Sequence, residues 1–196
     1  MSRPRIIAVT GGIGSGKSVV CRVLRSMGFS VYDCDSRARA LQDTDQEMRR
    51  RIALEVTRAA LNPDGTLNRA ALAESVFSDR EKLRTLNRIV HGAVADDLCR
   101  QIEADRSGRG VFFVETAILY ESGFDKLVDE VWEITAPEDI RISRVTARSG
   151  LSVEQIRARI AAQSATYEKT KKHHIIINDG RTPLLPQILD ELTRRI

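Results

Sequence analysis

Arg5-Ile6-Ile7-Ala8-Val9-Thr10-Gly11-Gly12-Ile13-Gly14-Ser15-Gly16-Lys17-Ser18 decides how the rest of the chain is read. The run from Arg5 to Thr10 is short, apolar and rich in β-branched residues, as a strand buried on both faces is. Gly11 to Ser18 fits the pattern G-x-x-x-x-G-K-[ST]. The segment from about Lys17 to Met27 predicts an amphipathic helix, closed by Gly28. Glycines allow a loop to approach phosphate closely and to aim successive amides inward. The helix N-terminus adds its partial positive charge. Lys17 supplies a point charge for the β- and γ-phosphates, and the Ser18 hydroxyl offers a ligand to Mg2+. A glycine-rich turn without a ligand is the alternative. The strand before the loop and the helix behind it select the phosphate cradle.

Working outward, short apolar runs alternate with helical patterns. Strands are expected at about Ser30 to Asp33, Val111 to Val114, Val131 to Thr135 and His174 to Ile177. Helices are expected over 44–60, from Arg69 to Phe77 behind an Asn68 cap, and from Ser78 or Asp79 to about Asp105. A polar helical stretch covers 138–166, interrupted at Ser149-Gly150, and a last helix covers about 183–196. Asn62-Pro63-Asp64-Gly65 is a turn. The fold class is therefore α/β: a five-stranded parallel sheet of the P-loop nucleotide-kinase kind, with helices on both faces. Two purely helical stretches interrupt the alternation. They divide one 1–196 domain into a core (about 1–35, 109–137 and 173–196), an insert at about 36–108 and a second insert at about 138–172.

Composition excludes several classes. The chain has 196 residues, 42% of them hydrophobic and 30% charged, a globular balance unlike that of disordered or collagenous chains. No apolar run approaches the ~18 residues of a membrane span, and the start of the sequence carries no signal-peptide pattern. Cys21, Cys34 and Cys99 have neither a zinc nor a CxxC spacing, which suits reduced thiols in a cytoplasmic protein. Aromatic residues make up 5%, too few for a stacking platform on nucleic acid. The net charge of +4 says little by itself.

Chemistry beyond the cradle depends on what stands at the other strand ends. Asp33 and Asp35, read as sharing one face of an extended segment, suit deprotonation of a hydroxyl acceptor or support of Mg2+. An Asp here also fits the N-cap of a following helix, a role for one of the two. Arg144 and Arg148 lie four apart on one helical face. They read either as a solvated basic face or as cations brought over a γ-phosphate. Asp105-Arg106-Ser107-Gly108 matches D-x-x-G but precedes a strand, and no N-K-x-D occurs, so a GTPase fits poorly. His91, His173 and His174 have no metal-ligand spacing.

The order of these segments resembles the dephospho-CoA kinase family. Thr10 to Ser18 is followed by Tyr32-Asp33-Cys34-Asp35 with Arg39. Gly65-Thr66-Leu67-Asn68-Arg69-Ala70-Ala71-Leu72 is similar to the family's G-x-L-[DN]-R-x-x-L. Leu86-Asn87-Arg88-Ile89-Val90-His91 is similar to the stretch leading to its His-Pro, and Ile118-Leu119-Tyr120-Glu121 to its P-L-L-[FY]-E. Gln163 and Ile177-Asn178-Asp179-Gly180 also fall in family positions.

The resemblance implies transfer of the ATP γ-phosphoryl group to the ribose 3′-hydroxyl of dephospho-CoA. It implies Asp35 as general base with Asp33 close by, and Lys17 with Arg148 or Arg144 on the phosphoryl group. ATP would be held by Gly11, Gly12, Ile13, Gly14, Ser15, Gly16, Lys17, Ser18, Val19 and Asn178, with Mg2+ on Ser18. Arg39, Arg69, His91, Leu119, Tyr120 and Glu121 would hold the acceptor, with 36–108 as the acceptor subdomain and 138–172 as a lid that moves on binding. The small-molecule partners are ATP and dephospho-CoA, with no nucleic acid and no membrane, and the protein is expected as a monomer or weak homo-oligomer. Departures from the family pattern are Val19, Gly92, Glu115, Ala117 and His173-His174. The competing readings are another P-loop nucleoside or nucleotide kinase and a non-catalytic ATP-binding switch.

Overall fold

The computed structural model describes residues 3–163 and 171–194. The 164–170 part of the second insert and the last two residues of the C-terminal helical pattern therefore lie outside the described residues.

The strand that opens the sequence is the middle of the sheet. β1 (Arg5–Thr10) runs parallel to β3 (Val111–Glu115) on one side and to β4 (Glu130–Thr135) on the other. β2 (Ser30–Asp33) lies beyond β3, and β5 (Lys172–Ile177) lies beyond β4, to which it is parallel. The order is β2-β3-β1-β4-β5. Ile7 pairs with Phe113, Val9 with Trp132 and Ile134 with Ile176. These residues form one core with Val20, Cys21 and Leu24 of α1 (Lys17–Ser26) and Ile188 of α8 (Leu184–Thr193). Phe113 meets both Phe29 and Trp132 edge-on, at 5.5 and 5.2 Å between centroids.

The alternate residues Ile6, Ala8, Phe112, Val114 and Val131 are buried as well. Strands apolar on both faces can pair only inside a covered sheet, and this is the physical reason for the parallel α/β arrangement. The expected five-stranded parallel sheet with helices around it is what the chain forms.

The chain separates into two compact units, Met1–Tyr32 with Asp105–Ile196, and Asp33–Ala104. The first holds the sheet, α1, α8 and a helix pair, α6 (Glu138–Ser149) and α7 (Val153–Ala162). Gly150, at φ 65°, ends α6, and Ser152 with Gln155 forms a reciprocal capping box that starts α7. His173 and His174 stitch β5 to its neighbours: His173 Nε2 lies 2.7 Å from Glu133 of β4, and His174 Nδ1 lies 2.9 Å from Glu191 of α8. Glu115, at the end of β3, pairs with Arg25 of α1 at 3.6 Å.

The second unit is helical: α2 (Cys34–Thr44), α3 (Gln46–Glu55), α4 (Arg69–Phe77) and α5 (Arg80–Glu103). Each starts at an acid or amide whose side chain accepts from a first-turn amide: Asp33, Asp45, Asn68 and Asp79. The helix expected over 44–60 is broken twice. Asp45 adopts an extended conformation to cap α3, and a short 3-10 turn at Arg58–Ala60 follows Thr57. Both breaks come from short polar side chains that compete for backbone amides. Leu41, Met48, Ile52, Leu72, Ile89 and Leu98 are buried in this unit. Arg37 of α2 donates two 2.8 Å hydrogen bonds to Asp97 of α5.

Trp132→Ala should cost about 3–5 kcal/mol, the usual penalty for truncating a large buried aromatic residue, as read by urea unfolding.

Candidate functional site

The strand order turns at β1: α1 leads away toward β2, while β4 lies on the opposite side. In parallel sheets such a reversal opens a crevice at the carboxyl ends of the strands. The loop 11–16 sits at that point, between the last residue of β1 and the first of α1.

Its glycines are required by what surrounds them. Gly16 has φ +93°, and a Cβ there would run into the side-chain amide of Asn178. Gly14 has φ +77°, and its Cβ would lie 2.6 Å from the Arg141 carbonyl. A Cβ on Gly12 would meet the Arg141 guanidinium, and one on Gly11 the Ile134 carbonyl. The loop is thus walled by α6, the end of β4 and the residue after β5. Gly16, the N-cap of α1, provides no side-chain cap, and the first turn carries no acid. An anion at this end therefore meets uncapped amides and the positive end of the helix.

Side chains grip the loop from outside. Lys17 Nζ donates to the Gly11 carbonyl at 2.6 Å. Arg141 Nε donates to the Ile13 carbonyl at 2.9 Å, and Gln163, the C-cap of α7, accepts from the Ile13 amide at 2.7 Å. Arg144 reaches the Gly14 and Ser15 carbonyls at 3.4 Å each and Asn178 Oδ1 at 3.2 Å. Asn178 Nδ2 in turn donates to the Ser15 carbonyl at 2.8 Å. The Ser15 hydroxyl is buried with no hydrogen-bond partner among the described residues. Burial pushes the Arg141 guanidinium below its ordinary value, with Glu138 opposing, and it remains a cation at neutral pH. The Ile13 side chain packs against Val145, Ile156 and Ile160, the small core of the α6–α7 pair.

The structure therefore gathers Lys17, Arg144 and Asn178 around the loop. Ser18 is exposed on the first turn of α1, followed by the half-buried Val19. Arg148 is exposed one turn beyond Arg144, in the last turn of α6. Arg141 was missing from the residues expected by spacing, although 141, 144 and 148 follow the i, i+3, i+7 pattern of one helical face. In the β3–β4 connection Leu119 is a core side chain, 1% exposed. Tyr120 has a hydroxyl whose pKa is raised by burial and by Glu133 and Asp125, and Glu121 is exposed.

Within the second unit, Asp33 and Asp35 do not share an extended segment, because α2 begins at Cys34. Asp33 is the N-cap, accepting from the Ser36 amide at 3.1 Å and the Ser36 hydroxyl at 2.7 Å. Asp35 is exposed in the first turn. Arg39 is exposed on α2, and Arg69 at the start of α4 is held by Gln42 and by Asp43, the latter at 2.7 Å. Burial lowers the pKa of His91 on α5, which keeps the ring neutral at pH 7. Asp105 of the D-x-x-G match accepts from Ser30 and Ser107 and closes a turn.

The sequence model of the dephospho-CoA kinase family matches residues 5–183. The chain belongs to the dephospho-CoA kinase family. A dephospho-CoA kinase of Symbiobacterium thermophilum is 42% identical over 176 residues, spanning 89% of this chain and 74% of that protein. One from Dehalococcoides mccartyi is 40% identical over 178 residues, spanning 90% and 89%. Among solved structures, a Thermus thermophilus protein superposes with a TM-score of 0.77 at 35% identity, over 98% of this chain and 96% of that one. The dephospho-CoA kinase from Campylobacter jejuni does so with a TM-score of 0.65 at 25% identity, over 96% and 94%. No helix among the described residues is long and apolar enough to cross a membrane.

Gly16→Ala, which needs φ +93° and displacement of the Asn178 amide, should weaken ATP binding by about tenfold or more. Calorimetric titration of the ligand-free chain measures this.

Proposed function

We propose that this protein transfers the γ-phosphoryl group of ATP to the ribose 3′-hydroxyl of dephospho-CoA, releasing coenzyme A and ADP. The observation that carries the reading is the glycine loop at the end of β1, walled by Arg141 and Asn178, in a chain of this family.

The roles are assigned from the loop, from charge and from the resemblance to the family. The loop amides and the N-terminus of α1 bind the phosphates of ATP. Lys17, now on the Gly11 carbonyl, exchanges that partner for phosphate oxygens. Arg144 and Asn178, bonded to each other, border the loop, Asn178 being assigned to the nucleoside of ATP, and Arg148 adds a cation one turn beyond Arg144. Phosphoryl transfer spreads negative charge over the equatorial oxygens, so fixed cations lower its barrier.

The Ser18 hydroxyl, exposed on the first turn of α1, would hold a hard cation such as Mg2+. When bound, Mg2+ supplies neutralisation of the charge on the phosphates. No cluster of three His, Cys, Asp or Glu among the described residues offers a separate metal site.

Asp35 accepts the proton of the 3′-hydroxyl as its oxygen attacks the γ-phosphorus and the bond to ADP breaks. Asp33 already spends its carboxylate on Ser36 and serves by starting α2. Arg39, Arg69 and the neutral His91 hold the acceptor in the 33–104 unit, which acts as the acceptor subdomain. The β3–β4 loop contributes Tyr120 and Glu121, with Leu119 as its anchor. Helices α6 and α7, the described part of the expected lid, already hold the loop through Ile13 and cover the phosphate site against water that would otherwise hydrolyse ATP. Three free thiols suit a reducing compartment such as the cytoplasm.

Release of ADP from ATP and Mg2+ should depend on dephospho-CoA. Equal release with AMP or nucleosides, or no stimulation by dephospho-CoA, would overturn the reading. Asp35→Asn should lower kcat by about a hundredfold or more, the usual range for a lost general base, with ATP affinity nearly unchanged. Asp33→Ala should act mainly on stability, costing about 1 kcal/mol as a lost helix cap. A larger kcat loss in Asp33→Asn, which keeps the cap, than in Asp35→Asn would reverse the two roles.

A further inference from the structure

Ile13 is held at three points. Its amide goes to Gln163 and its carbonyl to Arg141, while its side chain enters the Val145, Ile156 and Ile160 cluster. All three restraints come from α6, α7 and the C-cap of α7, and none involves a ligand.

A trans peptide is planar, so its carbonyl and its amide point in opposite directions. Drawing the Ile13 carbonyl toward Arg141 turns the Gly14 amide away from α6. Arg144 and Asn178 hold the Ser15 carbonyl in the same way and so turn the Gly16 amide. The Gly12 carbonyl is held within the loop by the Ser15 amide at 3.1 Å, but without outside donors the Ile13 and Ser15 carbonyls would be free to rotate. A loop that rotates must be ordered again at each binding event, at a cost that pre-organisation removes.

We propose that Arg141 and Gln163 are positioning residues that fix the peptide planes on either side of Ile13, so that the Gly14 amide, with that of Gly16, faces phosphate before ATP arrives. The inference rests on reading the loop as the ATP phosphate site. Neither residue touches the reacting atoms, and both act through Ile13. Arg141 is a cation whose nearest role is structural: it satisfies one carbonyl and fills the space that the missing Gly12 Cβ leaves. Gln163 is suited to the task because its Oε1 accepts from an amide without adding a negative charge beside the phosphates.

The test uses the ligand-free full chain, with Gln163→Met and Arg141→Met as separate variants. In Gln163→Met the Ile13 amide should exchange about tenfold faster with solvent, as one lost hydrogen bond predicts, with the Ile7 and Val9 amides of β1 unchanged. Both variants should bind ATP and inorganic tripolyphosphate about five- to tenfold more weakly, by the same factor for each ligand, because the effect lies in the loop. Arg141→Lys, which keeps a donor for the Ile13 carbonyl, should restore most of the loss. In turnover with dephospho-CoA the penalty should fall on the KM for ATP more than on kcat.

Unchanged affinity in either variant would overturn the proposal. So would an ATP loss without a tripolyphosphate loss, which would place the residue on the nucleoside instead. Faster exchange in β1 alongside Ile13 would reduce the role to general stability. A wild-type chain that binds neither ligand would sink the reading of the loop itself. A chain that binds ATP but does not phosphorylate dephospho-CoA would leave this inference standing and remove only the assigned acceptor.

Discussion

Backbone carbonyls near a phosphate site must be satisfied away from the phosphate, and the rest of this fold is arranged around that constraint. A buried carbonyl without a donor costs about 1–3 kcal/mol. One that turns toward an anion repels it. Between Gly12 and Ser15 the donors come from the Ser15 amide, Arg141, Arg144 and Asn178, while Lys17 holds the Gly11 carbonyl only until phosphate takes it. The side chains reach the loop from α1, from α6 and from the turn after β5. The order β2-β3-β1-β4-β5 brings the residue after β5 within reach of a loop that lies more than 160 residues earlier in the chain.

The sheet was legible because it is governed by short-range rules. Strands apolar on both faces and helices with one apolar stripe announce themselves in a window of ten or so residues. Ile7, Val9, Phe113 and Trp132 meet as that pattern requires. The cradle was legible for a similar reason: a strand, six loop residues and a helix are contiguous, and the glycines stand where the backbone has positive φ or no room for a Cβ. What stayed hidden is long-range. Gln163 meets Ile13 across 150 residues, and nothing in the local sequence of either marks the partnership. Arg141 stood in plain view in a helical run of three arginines, but spacing alone does not say which of them the fold turns inward.

Asp33 and Asp35 show how one residue of helix boundary alters a chemical reading. In an extended segment the two carboxylates would be equivalent neighbours. With α2 starting at Cys34, one becomes a cap with its oxygens engaged, and the other stands in the first turn. The same competition between short polar side chains and helix continuity broke the 44–60 pattern at Asp45 and Thr57. The family's departures at Glu115 and at His173-His174 are absorbed locally. Each finds a charged or polar neighbour on an adjacent element: Arg25, Glu133 or Glu191.

The apolar seat of Ile13 has a consequence for how such an enzyme changes over generations. Val145, Ile156 and Ile160 reach the loop through the side chain of Ile13, and Val145 also lies against Gly14. A methyl group gained or lost among them would shift the cradle by tenths of an ångström while the glycine pattern stayed intact. Nucleotide affinity can therefore drift, or be engineered, through an oily cluster that a search for conserved charged residues would pass over. The phosphate loop is written in glycine and lysine, but its fine adjustment is kept in isoleucine and valine.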